Sequence, residues 1–250
     1  MCAGSALKRT GKMSATRTTL LGVAMLFLAL PSLHAQEAFT LEPAVLPKNA
    51  PVSAALRQLL QSQGSQIITT TNGLKAVVCE LWWAKAVAGP AKTVTERDIL
   101  YGEVTPGALL GLLYFPTENE DSRDQKLKAG YYTMRYAQIP PPPREDQDAS
   151  PFHDFAALIP LNSDTEAEQA LPEDKLLQLS RRASRTELPA LMDLVPANQA
   201  YKNSPALIND DSGRCVMQIK LHSGKTTRPA GKELTVAILL ITPPKEAGGS

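Results

Sequence analysis

The segment 67–85, IITTTNGLKAVVCELWWAK, decides the fold expected for this chain. Two runs rich in β-branched and apolar residues flank Asn72-Gly73. This dipeptide is the strongest short signal for a two-residue hairpin turn, because both turn positions require a positive φ. The second run is apolar on both faces apart from Glu80. A strand of this kind belongs inside a sheet covered on both sides, so the sequence predicts a hairpin whose second arm is central.

The rest of the chain predicts more strands than helices. Further strands are predicted over 99–103, 108–115, 131–139, 152–161, 206–209, 214–222 and 234–241. Helices are predicted over 52–60 and 172–185, and the charged segment 117–128 is predicted to be an exposed loop. Short strands separated by turn signals favour a mainly β fold, an antiparallel β-sandwich with one or two peripheral helices. A closed barrel is the nearest alternative.

The N-terminal residues have the layout of a secretory signal peptide. Four basic residues and no acidic residue precede the apolar run 20–30, which Pro31 ends and a cleavage site at Ala35 follows. This run is too short to span a bilayer as a helix, which needs about 20 residues. We therefore expect a signal peptide at 1–35 and one domain at 36–250. The protein is expected to be periplasmic or secreted, with no membrane segment after cleavage.

The charge of the expected mature chain argues against nucleic acid as a partner. Removal of the four basic residues of the signal leaves 22 basic and 25 acidic residues, a net charge of −3. Proteins that bind nucleic acids usually carry a basic patch or stripe, and the sequence shows no such excess. The prolines at 140–143 predict an extended surface connection over 140–150, because four consecutive prolines donate no backbone hydrogen bond.

Two cysteines, Cys79 and Cys215, remain after position 35, each on the predicted inward face of a strand. In an oxidising compartment they form either a disulfide or two separate buried thiols, and the sequence leaves both open. No Cys or His has zinc-ligand spacing, and the acidic clusters lack the spacing of a calcium loop. The sequence therefore predicts no metal and no cofactor.

Catalytic motifs are scarce, and we assign no catalytic residue from the sequence. There is no nucleophile elbow, phosphate loop or zinc-protease helix. The adjacent pair His153-Asp154 is the one combination that suggests acid–base chemistry, with Arg135 as the natural partner of an inward Asp154. Neighbouring strand residues point to opposite faces, which favours a structural role. A hydrolase using His153, Asp154 and Arg135 is the alternative function.

The aromatic residues suggest a binding surface instead. Trp82 and Trp83 are adjacent on a strand, so they face different layers. An outward indole together with Tyr131 or Tyr136 would form a stacking platform for a sugar ring or a peptide, while core packing is the competing role for both indoles. The candidate ligand-binding residues are Trp82, Trp83, Tyr131, Arg135, His153 and Asp154.

Three segments, in order, carry a resemblance to known proteins: Glu80-Leu81-Trp82, then 130–137 (GYYTMRYA), then 151–155 (PFHDF). In these segments the chain resembles a group of exported bacterial proteins of unknown function. The resemblance implies export and a β fold, and it supplies no activity. The sequence therefore predicts an exported, non-catalytic β domain that binds a protein, peptide or saccharide of the cell envelope.

Overall fold

The computed structural model describes residues 39–90, 92–96, 98–139, 153–210, 213–224 and 231–241. The predicted signal peptide and the predicted extended connection at 140–150 lie outside the described residues.

The described residues form twelve strands and two α-helices. The strands are β1 (Phe39–Ala44), β2 (Gly64–Thr71), β3 (Leu74–Trp83), β4 (Leu109–Phe115), β5 (Asn119–Glu120), β6 (Lys126–Leu127), β7 (Gly130–Gln138), β8 (Asp154–Pro160), β9 (Leu191–Val195), β10 (Ala206–Asn209), β11 (Cys215–His222) and β12 (Glu233–Ile241). The helices are α1 (Ala54–Leu59) and α2 (Glu173–Ser184), and a 3-10 turn covers Leu161–Ser163. The mainly β composition with few helices is confirmed.

Ten of the strands form one antiparallel sheet in the order β1-β2-β3-β4-β7-β8-β9-β12-β11-β10. The sheet curves until its two end strands approach each other, and the Asn209 side chain donates a hydrogen bond to the Phe39 carbonyl across the remaining gap at 3.0 Å. The sheet is therefore nearly closed into a barrel. β5 and β6 form a separate small hairpin.

The hairpin predicted at Asn72-Gly73 is confirmed. Both residues have positive φ, 53° and 78°, and Thr71 pairs with Leu74 directly beside the turn. The second arm, β3, lies between β2 and β4, as its apolar composition predicted. An irregularity at Ile67/Ile68 shifts the register of this pair: Ile67 pairs with Cys79 and Ile68 with Val77.

The inward faces of the strands form the largest buried cluster. β7 contributes Tyr132, Met134 and Tyr136, and β11 contributes Cys215, which was predicted to face inward, together with Met217, Ile219 and Leu221. Cys79, Leu81 and Trp83 of β3 belong to the same cluster. The strands predicted over 131–139 and 214–222 are thus confirmed, and each turns one set of alternate residues toward the core.

Both helices cover the outer face of the sheet. The Ser53 hydroxyl caps α1 by accepting from the Leu56 amide at 3.2 Å, and Leu56 packs on Trp82. Leu176 and Leu179 of α2 pack on the outer face of β8. No helix among the described residues has the length and apolar character needed to cross a membrane.

Two predictions of local structure were wrong. The segment 99–103 is a turn rather than a strand, because the Leu100 and Tyr101 amides donate to the Asp154 carboxylate instead of to a neighbouring strand. The segment 117–128 is not simply an exposed loop. It contains the β5–β6 hairpin, in which the buried Asp121 accepts from the Arg123 and Gln125 amides, both at 2.9 Å.

Candidate functional site

Asp154 lies inside the sheet, where it joins the turn at 99–103 to β7. Its carboxylate is fully buried and accepts from the Leu100 amide at 2.8 Å, the Tyr101 amide at 3.0 Å and the Tyr136 hydroxyl at 2.5 Å. Three such donors satisfy a buried carboxylate without a cation. The expectation that an inward Asp154 pairs with Arg135 was therefore wrong.

Arg135 lies on the outer face of β7 and pairs with Asp164 instead. Its Nε donates to Asp164 Oδ2 at 2.7 Å and its Nη2 to Oδ1 at 2.9 Å, and both side chains are fully buried. The remaining guanidinium donors go to the carbonyls of Gly107, Glu166 and Gln169 at 2.7–2.8 Å. Every N–H of Arg135 is thus used, and the group fastens the segment that connects β8 to α2.

His153 lines a separate cleft of about 300 Å³ at the beginning of α2. Glu96, Glu173 and Gln138 line the same cleft. Because Asp154 faces the interior and Arg135 is held by Asp164, the structure does not bring together the three side chains of the alternative hydrolase hypothesis. The residues His153, Asp154 and Arg135 occupy three different environments.

The two predicted indoles are both in the core. Trp82 has 0% and Trp83 has 1% of its surface exposed, the first under α1 and the second inside the sheet. The prediction that they face different layers is confirmed. The prediction of a surface platform built on either indole is wrong, because neither ring reaches solvent.

Tyr131 does reach the surface. The ring of the buried Trp82 lies 6.5 Å from its ring, centroid to centroid, and its closer partner is Tyr114. The two rings stack with centroids 4.4 Å apart and planes inclined by 29°. Both rings are half-buried, and neither phenol oxygen has a hydrogen-bond partner among the residues that the structure describes. Glu80, Tyr114 and Tyr131 are register neighbours on β3, β4 and β7, so they form a row across the outer face of the sheet.

Tyr131 also lines a groove where β7 begins and β8 ends, which we call the basic groove. Its volume is about 650 Å³. It is lined by Pro51, Lys128, Ala129, Gly130, Tyr131, Tyr132, Pro160, Leu161, Asn162, Ser163, Arg182, Ala183 and Arg185. The groove thus lies between the C-terminal end of α2 and the segment that precedes α1.

Three cationic residues line the basic groove: Lys128, Arg182 and Arg185. All three are exposed, and none has a carboxylate within ion-pair distance among the described residues. None of the residues lining the groove carries a carboxylate. Cations at a helix C-terminus also interact favourably with the helix dipole. That interaction explains the two arginines at the end of α2, but it does not explain why a lysine from another element lines the same groove.

Arg185 occupies a backbone position that normally belongs to glycine. It caps α2 with φ 58° and ψ 29°, and its amide donates to the Arg181 carbonyl at 2.8 Å. A left-handed conformation costs a residue with a Cβ about 1 kcal/mol, which glycine avoids. A cationic residue that lines the groove thus occupies a backbone position where glycine would be less strained.

The electrostatics of the two groove tyrosines differ. Burial raises the pKa of Tyr132, while the positive charge of Arg185 acts to lower it. Burial also raises the pKa of Tyr131, with smaller upward contributions from Tyr114 and Glu80. Both phenols are therefore neutral at physiological pH. The Tyr132 hydroxyl already donates to the Lys128 carbonyl, whereas that of Tyr131 has no partner among the described residues.

The two cysteines are buried free thiols in the main cluster. Burial raises the pKa of Cys215 to about 12. Burial, followed by the charges of Cys215 and Glu80, raises the pKa of Cys79 still further. A disulfide between them stays a prediction. In the described part of the chain, no three His, Cys, Asp or Glu side chains come close enough together to hold a metal ion.

Sequence reasoning named Tyr131 but missed the cations beside it. The arginines of 181–185 fall in the helix predicted over 172–185, and Lys128 falls in the segment predicted to be an exposed loop. The available signal was the run of three arginines within five residues at a helix end. The groove offers an anion three positive charges and neutral hydrogen-bond donors, and among the residues lining it there is no histidine or carboxylate to act as a base. Comparisons with protein family models, with curated proteins and with solved structures gave no significant match for this chain.

Proposed function

We propose that this protein is an exported, non-catalytic β domain that binds an anionic component of the cell envelope in the basic groove. The observation that carries the proposal is the meeting of Lys128, Arg182 and Arg185 in one groove without a carboxylate. The N-terminal signal layout supports export to the compartment in which such a component is met.

The charge distribution supports an anionic ligand. The mature chain has a net charge of −3, yet this groove concentrates three positive charges from two separate elements. Guanidinium groups bind carboxylates and phosphates through paired, charge-assisted hydrogen bonds, which makes Arg182 and Arg185 suitable ligands for either anion. Unpaired cations in a concave site also attract anions from solution.

The surroundings of His153, Asp154 and Arg135, the residues of the alternative hydrolase hypothesis, support binding over catalysis. Asp154 is occupied by three donors, and Arg135 has no free N–H. His153 lies in another cleft. A general base must be within hydrogen-bond reach of the proton it takes and is oriented by a neighbour, and this trio offers no such relay.

The proposal includes the two-layered β-sandwich expected from the sequence as the body that presents the groove. Cys79 on β3 and Cys215 on β11 lie far apart in the strand order, yet they share one buried cluster. Such sharing fits two halves of the nearly closed sheet packed against each other as layers, and it supports this part of the proposal.

A calorimetric titration tests the proposed function. The protein used is the chain from residue 36, and the probes are inorganic pyrophosphate and trigalacturonate at low ionic strength, where charge attraction is least screened. We expect saturable binding of at least one probe. The double variant Arg182→Glu/Arg185→Glu should weaken that binding at least tenfold, because it replaces two attractive charges with two repulsive ones.

A matched charge reversal outside the groove is the control. Lys92 and Lys202 are exposed and do not line the groove. The variant Lys92→Glu/Lys202→Glu changes the net charge by the same amount, and it should bind within a factor of two or three of the unmodified protein. Absence of binding to both probes, or equal losses in the two double variants, would overturn the proposal.

A further inference from the structure

Resting on the proposed function, we infer that the ligand is an acidic saccharide whose ring lies on the Tyr114–Tyr131 pair while its acid group enters the basic groove. Tyr131 links the two parts, because it stacks on Tyr114 and also lines the groove. An anion without a ring would use only the cations, and a neutral sugar would use only the tyrosines.

The tyrosine pair has the properties of a sugar platform. Stacking of Tyr131 on Tyr114 fixes both rings on rigid, adjacent strands, so little side-chain freedom is lost on binding. Each ring is half-buried and has a phenol oxygen without a partner among the described residues. An aromatic face that ends in a polar group suits a ring with one apolar face and hydroxyl groups around its edge.

The neighbours of the pair supply further polar groups along the same surface. Glu80 is the register neighbour of Tyr114, and Gln66 is the register neighbour of Glu80, so polar side chains continue the row across three strands. Asn162 and Ser163 line the groove on the other side of Tyr131. Carboxylate, amide and hydroxyl groups at the margin of an aromatic surface are suited to sugar hydroxyls.

Four probes separate the two parts of the site. Trigalacturonate carries rings with carboxylates, and glucose 1-phosphate carries a ring with a phosphate. Pyrophosphate carries charge without a ring, and maltotriose carries rings without charge. We expect the better of the two acidic sugars to bind at least tenfold more tightly than maltotriose and at least threefold more tightly than pyrophosphate, and the preferred sugar identifies the acid group.

Variants of the platform give the decisive comparison. Tyr131→Leu should weaken the preferred acidic sugar at least fivefold and change pyrophosphate binding by less than twofold. Tyr131→Phe keeps the stacked ring, so it should retain most of the sugar binding, and it serves as the control if Tyr131→Leu is poorly folded. Tyr114→Phe should behave like Tyr131→Phe, because it also keeps the ring.

The outcomes distinguish this inference from the proposed function. If pyrophosphate binds through the arginines but Tyr131→Leu leaves acidic-sugar binding unchanged, the proposed function stands and the saccharide inference is overturned. If maltotriose binds as tightly as the acidic sugars, the coupling between ring and acid is overturned. If none of the four probes binds, both are overturned.

Discussion

Removing the negative charge of Asp164 should destabilise this protein severely. Arg135 donates hydrogen bonds from Nε and Nη2 to Asp164. Its other N–H groups donate to the carbonyls of Gly107, Glu166 and Gln169. Asp164→Asn keeps the shape of the side chain but leaves a fully buried guanidinium without an anion. Breaking such a pair from one side typically costs about 3–5 kcal/mol, against a total stability of about 5–15 kcal/mol.

The variant Arg135→Met, which removes the cation instead, should reverse the way in which Asp164 makes the free energy of unfolding depend on pH. In the native protein burial acts to raise the pKa of Asp164, but hydrogen bonds and charge from Arg135 outweigh it, so the pKa lies below its ordinary value. This group therefore contributes stability above about pH 4 and loses it as the pH falls through the lowered pKa. In Arg135→Met the burial remains and only the Thr133 hydroxyl and the Glu166 amide still donate to Asp164. The pKa should therefore rise, and the variant should lose stability as the pH rises from 4 to 7.

Urea unfolding of the chain from residue 36, followed by the fluorescence of the buried Trp82 and Trp83, measures these effects. Asp164→Asn should lower the free energy of unfolding by about 3 kcal/mol or more. The double variant Arg135→Met/Asp164→Leu should cost much less than the sum of the single changes, because no buried charge is left unpaired. A loss below about 1 kcal/mol for Asp164→Asn, the value of an exposed pair, would refute the reasoning.

Three further predictions concern pH, the thiols and the end of α2. Burial, with a smaller contribution from Asp121, raises the pKa of Asp193 to about 6, so its contribution to stability is complete below about pH 4 and is lost as the pH rises through 6. Asp193→Asn should flatten the profile of Tm against pH over this range, and an unchanged profile would contradict the assignment. Cys79 and Cys215 should be inert to a thiol reagent at pH 8 in the folded protein, and two thiols should appear on unfolding without reductant. Finding none would establish the disulfide. Arg185→Gly should raise the free energy of unfolding by about 1 kcal/mol, since it relieves a left-handed conformation, while weakening anion binding.

The parts of the fold that depend on local patterns were predictable. Asn72-Gly73 specifies its turn because both residues tolerate positive φ, and the period-two alternation of β11 follows from one face meeting the core. The helix α2 begins after Pro172 and ends at Arg185, as the distribution of charge and proline indicated. These features need no knowledge of distant partners.

The parts that depend on distant partners were not predictable. Asp164 lies 29 residues from Arg135 and follows a turn, so nothing local marks it as the partner. The turn at 99–103 forms because Asp154, more than 50 positions away, takes its amides. The basic groove likewise combines Lys128 with arginines from α2, and only the antiparallel pairing of β7 with β8 brings those segments together.

The proposal that the basic groove binds an anion is tested most directly by arginine side-chain NMR. Pyrophosphate is added to the chain from residue 36 while the Nε–H resonances of its arginines are followed. The account predicts that the resonances of Arg182 and Arg185 shift together with one saturating dependence on concentration, while that of the buried Arg135 stays fixed. Shifts confined to other arginines, or no saturable shift at all, would contradict it.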